Sequence, residues 1–173
     1  MGSHFCARAA GRAARPAAGR AGRAVLFHLP KETSMTWRVD LIAQHIEVEN
    51  RHLMDEMLAT LADENPVRDE VAGRVYRGKD QVAARYAELW QAFPDFNVRP
   101  VRYTEQEGIV VMEAIYTGTH HGAYLGLPGS GKSFNVRLVN VFGFDDERIE
   151  SETIYIDLAG QLRQLGITAI PRN

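Results

Sequence analysis

Three ionisable side chains that could transfer protons lie close together near residue 50. Glu49 follows His45 by four residues and precedes His52 by three. In a helix these side chains share one side, with Glu49 at the edge of the apolar band, where a carboxylate needs a partner or its pKa rises. We expect Glu49 to act as a general acid or base with His45 nearby, or to pair with Arg51. The spacing also suits metal ligands, but no fourth ligand is identified, and no metal is predicted.

Two further polar residues interrupt apolar rows in the C-terminal half of the chain. Asn140 lies in an alternating apolar row, and Glu152 shares a strand face with Ile154 and Ile156. If Asn140 and Glu152 both point inward, they form a polar floor in an otherwise apolar cup, and a buried amide there needs hydrogen-bond partners. The alternative is a hydrogen-bonded Asn140 in the core and an exposed Glu152 at a sheet edge.

One motif matches the sequence pattern of a phosphate-binding loop. Gly126, Gly131, Lys132 and Ser133 fit the pattern G-x-x-x-x-G-K-S. That loop binds phosphate when a helix N-terminus follows it, whereas the residues after Ser133 alternate like a β-strand. We therefore predict a loop between two strands and no nucleotide site.

The elements that must position these residues are two helices followed by a sheet. Helical periodicity covers residues 40–62 and 80–92, with a short extended segment between them. Asp157 is predicted to be the N-cap of a final short helix. Four β-patterned runs separated by turn residues cover 97–104, 109–119, 134–144 and 148–157. The predicted fold class is α+β, with a consecutive antiparallel sheet.

Composition restricts the class of protein. The chain has 173 residues, 45% of them hydrophobic, and one cysteine, so we expect one folded domain without disulfides. No uninterrupted apolar run is long enough to span a bilayer, and no basic stripe suits nucleic acid. We predict neither a membrane nor a nucleic-acid partner, and a cytoplasmic location.

The N-terminal segment differs in composition from the rest. Residues 1–34 carry six Lys/Arg and one Glu and repeat Ala, Arg and Gly, a composition that favours disorder. The segment could be a transit peptide, a basic arm, or the product of a start codon placed too far upstream. We favour the last, which makes residues 35–173 the folded domain and Met35 the first residue.

The order of several short motifs resembles one known family. Gly118-x-His120-x-Gly122 is followed by Phe134 and by the closing Tyr-x-Asp-x-x-x-x-Leu-x-Gln-Leu-Gly. Together they resemble the SnoaL-like polyketide cyclases of the nuclear transport factor 2-like superfamily, over residues 37–167. The resemblance implies a cone in which a curved antiparallel sheet wraps around N-terminal helices, with a deep apolar cavity and commonly a homodimer.

The resemblance also implies a difference in chemistry. In SnoaL-type cyclases an Asp on the last strand and a His on the preceding strand act as acid and base in an aldol closure. The matching positions here are Ile154 and Asn140. Neither side chain can exchange a proton near neutral pH, although Asn140 could donate a hydrogen bond to a carbonyl or enolate oxygen.

The predicted function is an enzyme of the cyclase, isomerase or hydrolase type that acts by acid–base chemistry on a small hydrophobic carbonyl compound without a cofactor. The alternatives are a hydrophobic ligand-binding module and a dimerisation module. The predicted catalytic residues are His45, Glu49 and Glu152. The predicted substrate-binding residues are Asn140, His120, Trp90, Tyr116, Phe142 and Ile154.

Overall fold

The computed structural model describes residues 36–64, 66–70 and 73–169. The predictions for residues 1–34 lie outside these ranges. The first half contains α1 (Trp37–Asn50), α2 (Met54–Ala59), β1 (Val67–Glu70), β2 (Arg74–Arg77) and α3 (Gly78–Ala92). The second half contains β3 (Asn97–Gln106), β4 (Ile109–Thr119), β5 (Ser133–Phe144), β6 (Ile149–Ile156) and α4 (Leu158–Leu165). The predicted α+β fold is confirmed.

The sheet has six strands in the order β2-β1-β6-β5-β4-β3. Neighbouring strands are antiparallel except β1 and β6, which are parallel. The register shifts between Pro100 and Arg102 in β3 and between Gly143 and Phe144 in β5. Such irregularities bend a strand and increase its twist, which curves the sheet. The sequence predicted the four long strands and, between the helices, a short extended segment. It did not indicate the strand pair β1 and β2, because each has four residues and no alternating apolar pattern.

The helices pack against one face of the sheet. Ile42 and Ile46 of α1 and Tyr86 and Leu89 of α3 are buried in one core with the inward residues of β4 and β5. Along β5 the buried positions alternate with more exposed ones from Phe134 to Phe142, as the period of a strand requires. The side chains of alternate residues on β4, β5 and β6 therefore face the helices.

The first helix is shorter than predicted. The expected helix over 40–62 ends at Asn50, and α2 starts at Met54. His52 has a left-handed backbone with φ of 57°. Its amide donates to the Glu49 carbonyl, and the Leu53 amide donates to the Val48 carbonyl. This is the Schellman ending of a helix, which usually has glycine where His52 stands, so the sequence did not indicate it.

The glycine-rich loop, residues 120–132, joins β4 to β5. Since β5 and not a helix begins at Ser133, the loop has no helix dipole with which to bind a phosphate. The loop instead closes on itself through the His120 amide, which donates to the Lys132 carbonyl. The amides of His121 and Gly122 donate to the Ala92 carbonyl at the end of α3. The loop therefore caps α3 and joins two strands, as predicted for the connection after Thr119.

Candidate active site

A cavity lies between the inner face of the sheet, α1 and α4. It encloses about 560 Å³ of empty space, including the part that is open to solvent. One part of its wall is apolar or phenolic, formed by Phe96, Val98, Tyr116, Tyr124, Leu138, Ile154, Ile156 and Leu158. The other part is polar, formed by Glu49, Arg68, Glu70, Arg85, Asn140, Glu152 and Gln161.

Five of the polar residues form what we call the charge cluster: Glu49, Arg68, Glu70, Arg85 and Glu152. Arg68 Nη1 donates to Glu152 Oε2 at 2.6 Å, and Arg68 Nε donates to Glu70 Oε1 at 3.2 Å. Arg85 Nε donates to the same Glu70 oxygen at 2.8 Å. Parallel pairing of β1 with β6 sets Arg68 directly beside Glu152, so the sheet register builds the central ion pair.

Glu49 is the member of the charge cluster that has no ion-pair partner within the described residues. Its side chain is buried near the end of α1. Burial raises the pKa of Glu49 to about 8; the charge of Arg68 opposes this rise and the charge of Glu152 adds to it. The alternative prediction of a pair with Arg51 is wrong, because Arg51 forms its ion pair with Glu47 at the surface.

Charge balance explains which carboxyl group holds a proton. The cluster has three carboxyl groups and two guanidinium groups, so it is neutral when one carboxyl group is protonated. Burial tends to raise the pKa of Glu70, but Arg68 and Arg85 lower it overall. Burial raises the pKa of Glu152, and Arg68 opposes this rise. Because Glu152 contacts Arg68 and Glu49 contacts no cation, Glu49 is the carboxyl group that is protonated most readily.

His45 contacts Tyr86 and does not line this cavity. The Tyr86 hydroxyl accepts from Arg68 Nη1 at 2.8 Å and lies 3.5 Å from His45 Nε2. His45 Nδ1 is 2.6 Å from Thr60 Oγ1, which donates to the Met57 carbonyl. This pattern assigns the imidazole proton to Nδ1. Burial and then the charge of Arg68 lower the pKa of His45 to about 3, so the ring is neutral and orients Tyr86.

Two buried amide groups in the cavity wall are incompletely hydrogen-bonded. Asn140 Nδ2 donates to Glu152 Oε1 at 2.5 Å, which confirms that both side chains point inward. Asn140 Oδ1 has no partner within the described residues, and neither has Gln161 Nε2. Tyr124, on the glycine-rich loop, donates to Gln161 Oε1 at 3.4 Å. Asn140 therefore has a free acceptor, whereas the sequence suggested that it would act as a donor.

The predicted substrate-binding residues divide into two groups. Tyr116 and Ile154 line the cavity together with Asn140. Phe142, Trp90 and His120 do not. Phe142 is fully buried in the core, although it pairs with Glu152 across the sheet. The Trp90 indole stacks on His52 with 4.8 Å between ring centroids. His120 is fully buried against Phe93, with Nδ1 3.2 Å from Ser130 Oγ.

Sequence reasoning missed Arg68, Glu70, Arg85 and Gln161. Arg68 and Glu70 are alternate residues of β1, a spacing that could have indicated one strand face had the strand been recognised. Arg85 lies between buried positions of α3 and is itself buried, whereas charged residues in helices are usually solvated. Gln161 occupies the second turn of α4 after the Asp157 cap, whose side chain accepts from the Gly160 amide at 2.8 Å, as predicted.

The described residues contain neither a metal-binding cluster nor a membrane-spanning helix. No group of three or more His, Cys, Asp or Glu side chains there has an arrangement that could hold a metal ion. None of the helices in these ranges is both long enough and apolar enough to cross a membrane.

Solved structures of other proteins share this fold. The SnoaL-like protein of Jannaschia sp. CCS1 has a TM-score of 0.71 and 21% identity, covering 82% of this chain and 99% of its own. TsrD of Streptomyces laurentii has a TM-score of 0.68 and 22% identity, covering 79% and 99%. A Catenulispora acidiphila protein with a ketosteroid isomerase-like fold, in complex with trimethylamine, has a TM-score of 0.67 and 17% identity, covering 78% and 98%. At these identities the likeness establishes the fold.

The family relation of the chain follows from its sequence. No curated protein matches it. The sequence profile of the SnoaL-like polyketide cyclases matches residues 39–165, which include every element except the first residues of α1. The chain therefore belongs to the SnoaL-like polyketide cyclase family.

Proposed function

We propose that the protein is an enzyme that uses Glu49 as an acid–base group on a small, mostly apolar carbonyl compound bound in the cavity. The observation that carries the proposal is the position of Glu49, buried in the cavity wall without a cation beside it. Its pKa of about 8 makes the ionised form a stronger base than an exposed carboxylate, while both forms remain populated near neutral pH.

The proposed reaction is a proton transfer next to a carbonyl group. Ionised Glu49 takes a proton from the carbon beside the carbonyl, and the electron pair of the broken C–H bond forms an enolate. In an isomerisation, protonated Glu49 returns the proton to another carbon of the enolate. In a cyclisation, the enolate carbon bonds to a second carbonyl of the same molecule, whose oxygen takes the proton from Glu49. The family membership favours cyclisation.

Glu152 and His45 have supporting roles in this proposal. Both Glu152 oxygens accept hydrogen bonds, one from Arg68 and the other from Asn140, so Glu152 holds a negative charge in place. That charge disfavours ionisation of Glu49 and raises its pKa. Neutral His45 orients Tyr86 and lies outside the cavity lining. We therefore assign the proton transfer to Glu49 and positioning to the other two.

The test is proton exchange, which does not require the natural product to be known. Wild-type protein in heavy water is incubated with a panel of aryl ketones and cyclic diketones, and deuterium uptake beside the carbonyl is measured by NMR. We expect accelerated exchange whose rate rises with pH through about 8. Glu49→Gln should slow it by a factor of about 100 or more.

Glu47→Gln is the matched control, since Glu47 is an exposed residue of the same helix. It should leave exchange unchanged. Equal exchange by wild type and Glu49→Gln, or no acceleration by the wild type over the whole panel, contradicts the proposal.

A non-catalytic ligand-binding module is the second candidate. The unpartnered amide atoms of Asn140 and Gln161 favour it, because they suit an occupant whether or not the occupant reacts. This function predicts that panel compounds bind to the wild type without exchange. It also predicts that Glu49→Gln leaves their affinity nearly unchanged, which isothermal titration calorimetry measures.

A homodimer is also proposed. Val101, Ile109 and Tyr155 are large apolar side chains that the strands leave exposed. A second copy that covers them would remove apolar surface from water. Sedimentation equilibrium should give twice the chain mass, and a mass equal to one chain at all concentrations rejects the dimer.

A further inference from the structure

The cavity wall has two hydrogen-bonding atoms whose needs the described residues do not meet. Gln161 is completely buried, and its Nε2 has no acceptor within those residues. Asn140 is 4% exposed, and its Oδ1 has no donor there. Each such atom costs free energy of folding unless water or a ligand satisfies it. The wall of one cavity thus contains a donor, Gln161 Nε2, and an acceptor, Asn140 Oδ1, that have no partner within the described residues.

The contact with Glu152 fixes which atom of Asn140 is free, and the contact with Tyr124 accounts for one atom of the Gln161 amide. Asn140 turns its Nδ2 toward Glu152, because a carboxylate oxygen can only accept a hydrogen bond and therefore needs the donor atom of the amide. The Tyr124 hydroxyl donates to Gln161 Oε1. Asn140 is therefore a free acceptor at the sheet side of the cavity, and Gln161 is a free donor on α4.

The charges in the wall limit the ligand further. Arg68 contacts Glu152 and Glu70, and Arg85 contacts Glu70, so each guanidinium group is already paired. An anionic ligand would enter an apolar space without a spare cation and lose its hydration there. The cavity consequently suits an uncharged molecule.

We propose that Gln161 and Asn140 are specificity-determining residues: Gln161 Nε2 donates to an uncharged acceptor oxygen of the ligand, and Asn140 Oδ1 accepts from a ligand hydroxyl. This deepens the proposed function, on which it rests for the identity of the site. It adds selection for a hydroxyl group and a carbonyl group on one neutral apolar skeleton. An ordered water at each atom is the alternative occupant, and it would confer no such preference.

The first experiment compares ligands on the wild-type protein by isothermal titration calorimetry. The meta and para isomers of hydroxyacetophenone carry both groups. Acetophenone lacks the hydroxyl, the ethylphenols lack the carbonyl, and the hydroxybenzoates replace the ketone by a carboxylate. We expect at least one hydroxyacetophenone to bind about tenfold more tightly than acetophenone and the matching ethylphenol. The hydroxybenzoates should bind more weakly still. Equal affinities across the panel, no binding by any member, or tightest binding of the hydroxybenzoates overturn the proposal.

The second experiment pairs each residue with the ligand group that it contacts. Gln161→Met, which keeps the side-chain length, should weaken the hydroxyacetophenone about tenfold and leave the ethylphenol unchanged. Asn140→Leu should weaken the hydroxyacetophenone and leave acetophenone unchanged. Gln164→Ala is the control on the same helix, because Gln164 Oε1 accepts from the Asn135 amide outside the cavity. A uniform loss over all ligands contradicts the assignment, and thermal unfolding of each variant shows whether it is folded.

The readout is affinity, so the two proposals can fail separately. Glu49→Gln should retain the full ligand preference while losing proton exchange. If the ligand preference is retained but the wild type shows no proton exchange, the proposed reaction is rejected and the proposed ligand selectivity stands. If the wild type exchanges protons but shows no ligand preference, the proposed reaction stands and the roles of Gln161 and Asn140 are rejected.

Discussion

The charge cluster and the glycine-rich loop differ in how their residues are spread along the chain. The loop is one continuous segment, and its sequence matches a known phosphate-binding pattern. The charge cluster combines residues of α1, β1, α3 and β6, and its central pair, Arg68 and Glu152, is separated by 84 positions. The loop caps a helix, whereas the cluster lines the cavity. The local motif therefore overstated the chemical role of the loop, whereas no local motif indicated the charge cluster.

The largest expected effect is the loss of the central cation. Arg68→Met leaves Glu152 buried without its ion-pair partner, so the free energy of unfolding at pH 7 should fall by about 3–5 kcal/mol. Arg102→Met is the control, since Arg102 pairs with Glu113 near the surface, and it should change stability by less than about 1 kcal/mol. Urea unfolding of both variants measures the difference. Similar losses of unfolding free energy in the two variants would show that the buried pair is no more important for stability than the exposed pair.

The second effect is the pH dependence that Glu49 gives to folding. A glutamate has an ordinary pKa of 4.5, whereas buried Glu49 has a pKa of about 8. The folded protein therefore binds this proton more tightly than the unfolded chain does. The contribution of Glu49 to stability is fully present below pH 4.5 and is lost as the pH rises through about 8. Glu49→Gln, which stays neutral, should flatten that decline and be the more stable form at pH 9. A decline of equal slope in both proteins refutes the assignment.

The third effect concerns packing of the glycine-rich loop. A Cβ atom at Gly129 would lie 2.0 Å from the His121 carbonyl oxygen, so Gly129→Ala should lower the free energy of unfolding by about 1–3 kcal/mol. At Gly126 a Cβ atom meets open space, and only the positive φ of 75° disfavours a side chain. Gly126→Ala should therefore cost about 1 kcal/mol. The order of the two melting temperatures checks this, and the reverse order contradicts it.

The smallest effect is expected for the lysine of the phosphate-loop pattern. Lys132 lies against Gly166 at the C-terminal end of α4, where a positive charge is favourable. Lys132→Met should lower stability by less than about 1 kcal/mol. Neither the wild type nor the variant should bind ATP in equilibrium dialysis, and binding that depends on Lys132 would restore the nucleotide hypothesis.

Periodicity predicted the larger elements well because each of them buries one face. The run predicted at 109–119 is β4 in full, and Asp157 caps α4 as expected. The inward orientation of Asn140 and Glu152 followed from the same alternation. These features depend on near neighbours in the chain, which a sequence displays directly.

The parts that could not be predicted depend on distant partners or on backbone exceptions. The end of α1 uses His52 in a conformation that usually requires glycine. Burial of Arg68 depends on a parallel strand pair that no local pattern encodes. His45 was expected in the site, but it does not line the cavity and contacts the Tyr86 hydroxyl instead. Which side of a buried residue faces a cavity is set by tertiary packing, so spacing alone did not reveal it.

The parallel pairing of β1 with β6 has a consequence for the order in which the protein is built. β1 is made early, yet its partner is the last strand of the sheet. Contacts between distant segments carry a large cost of loop closure and tend to form late in folding. During synthesis Arg68 therefore lacks its partner Glu152 until β6 has left the ribosome. The protein cannot assemble its cavity before β6 exists, so a product truncated before β6 would lack both the ion pair and the site.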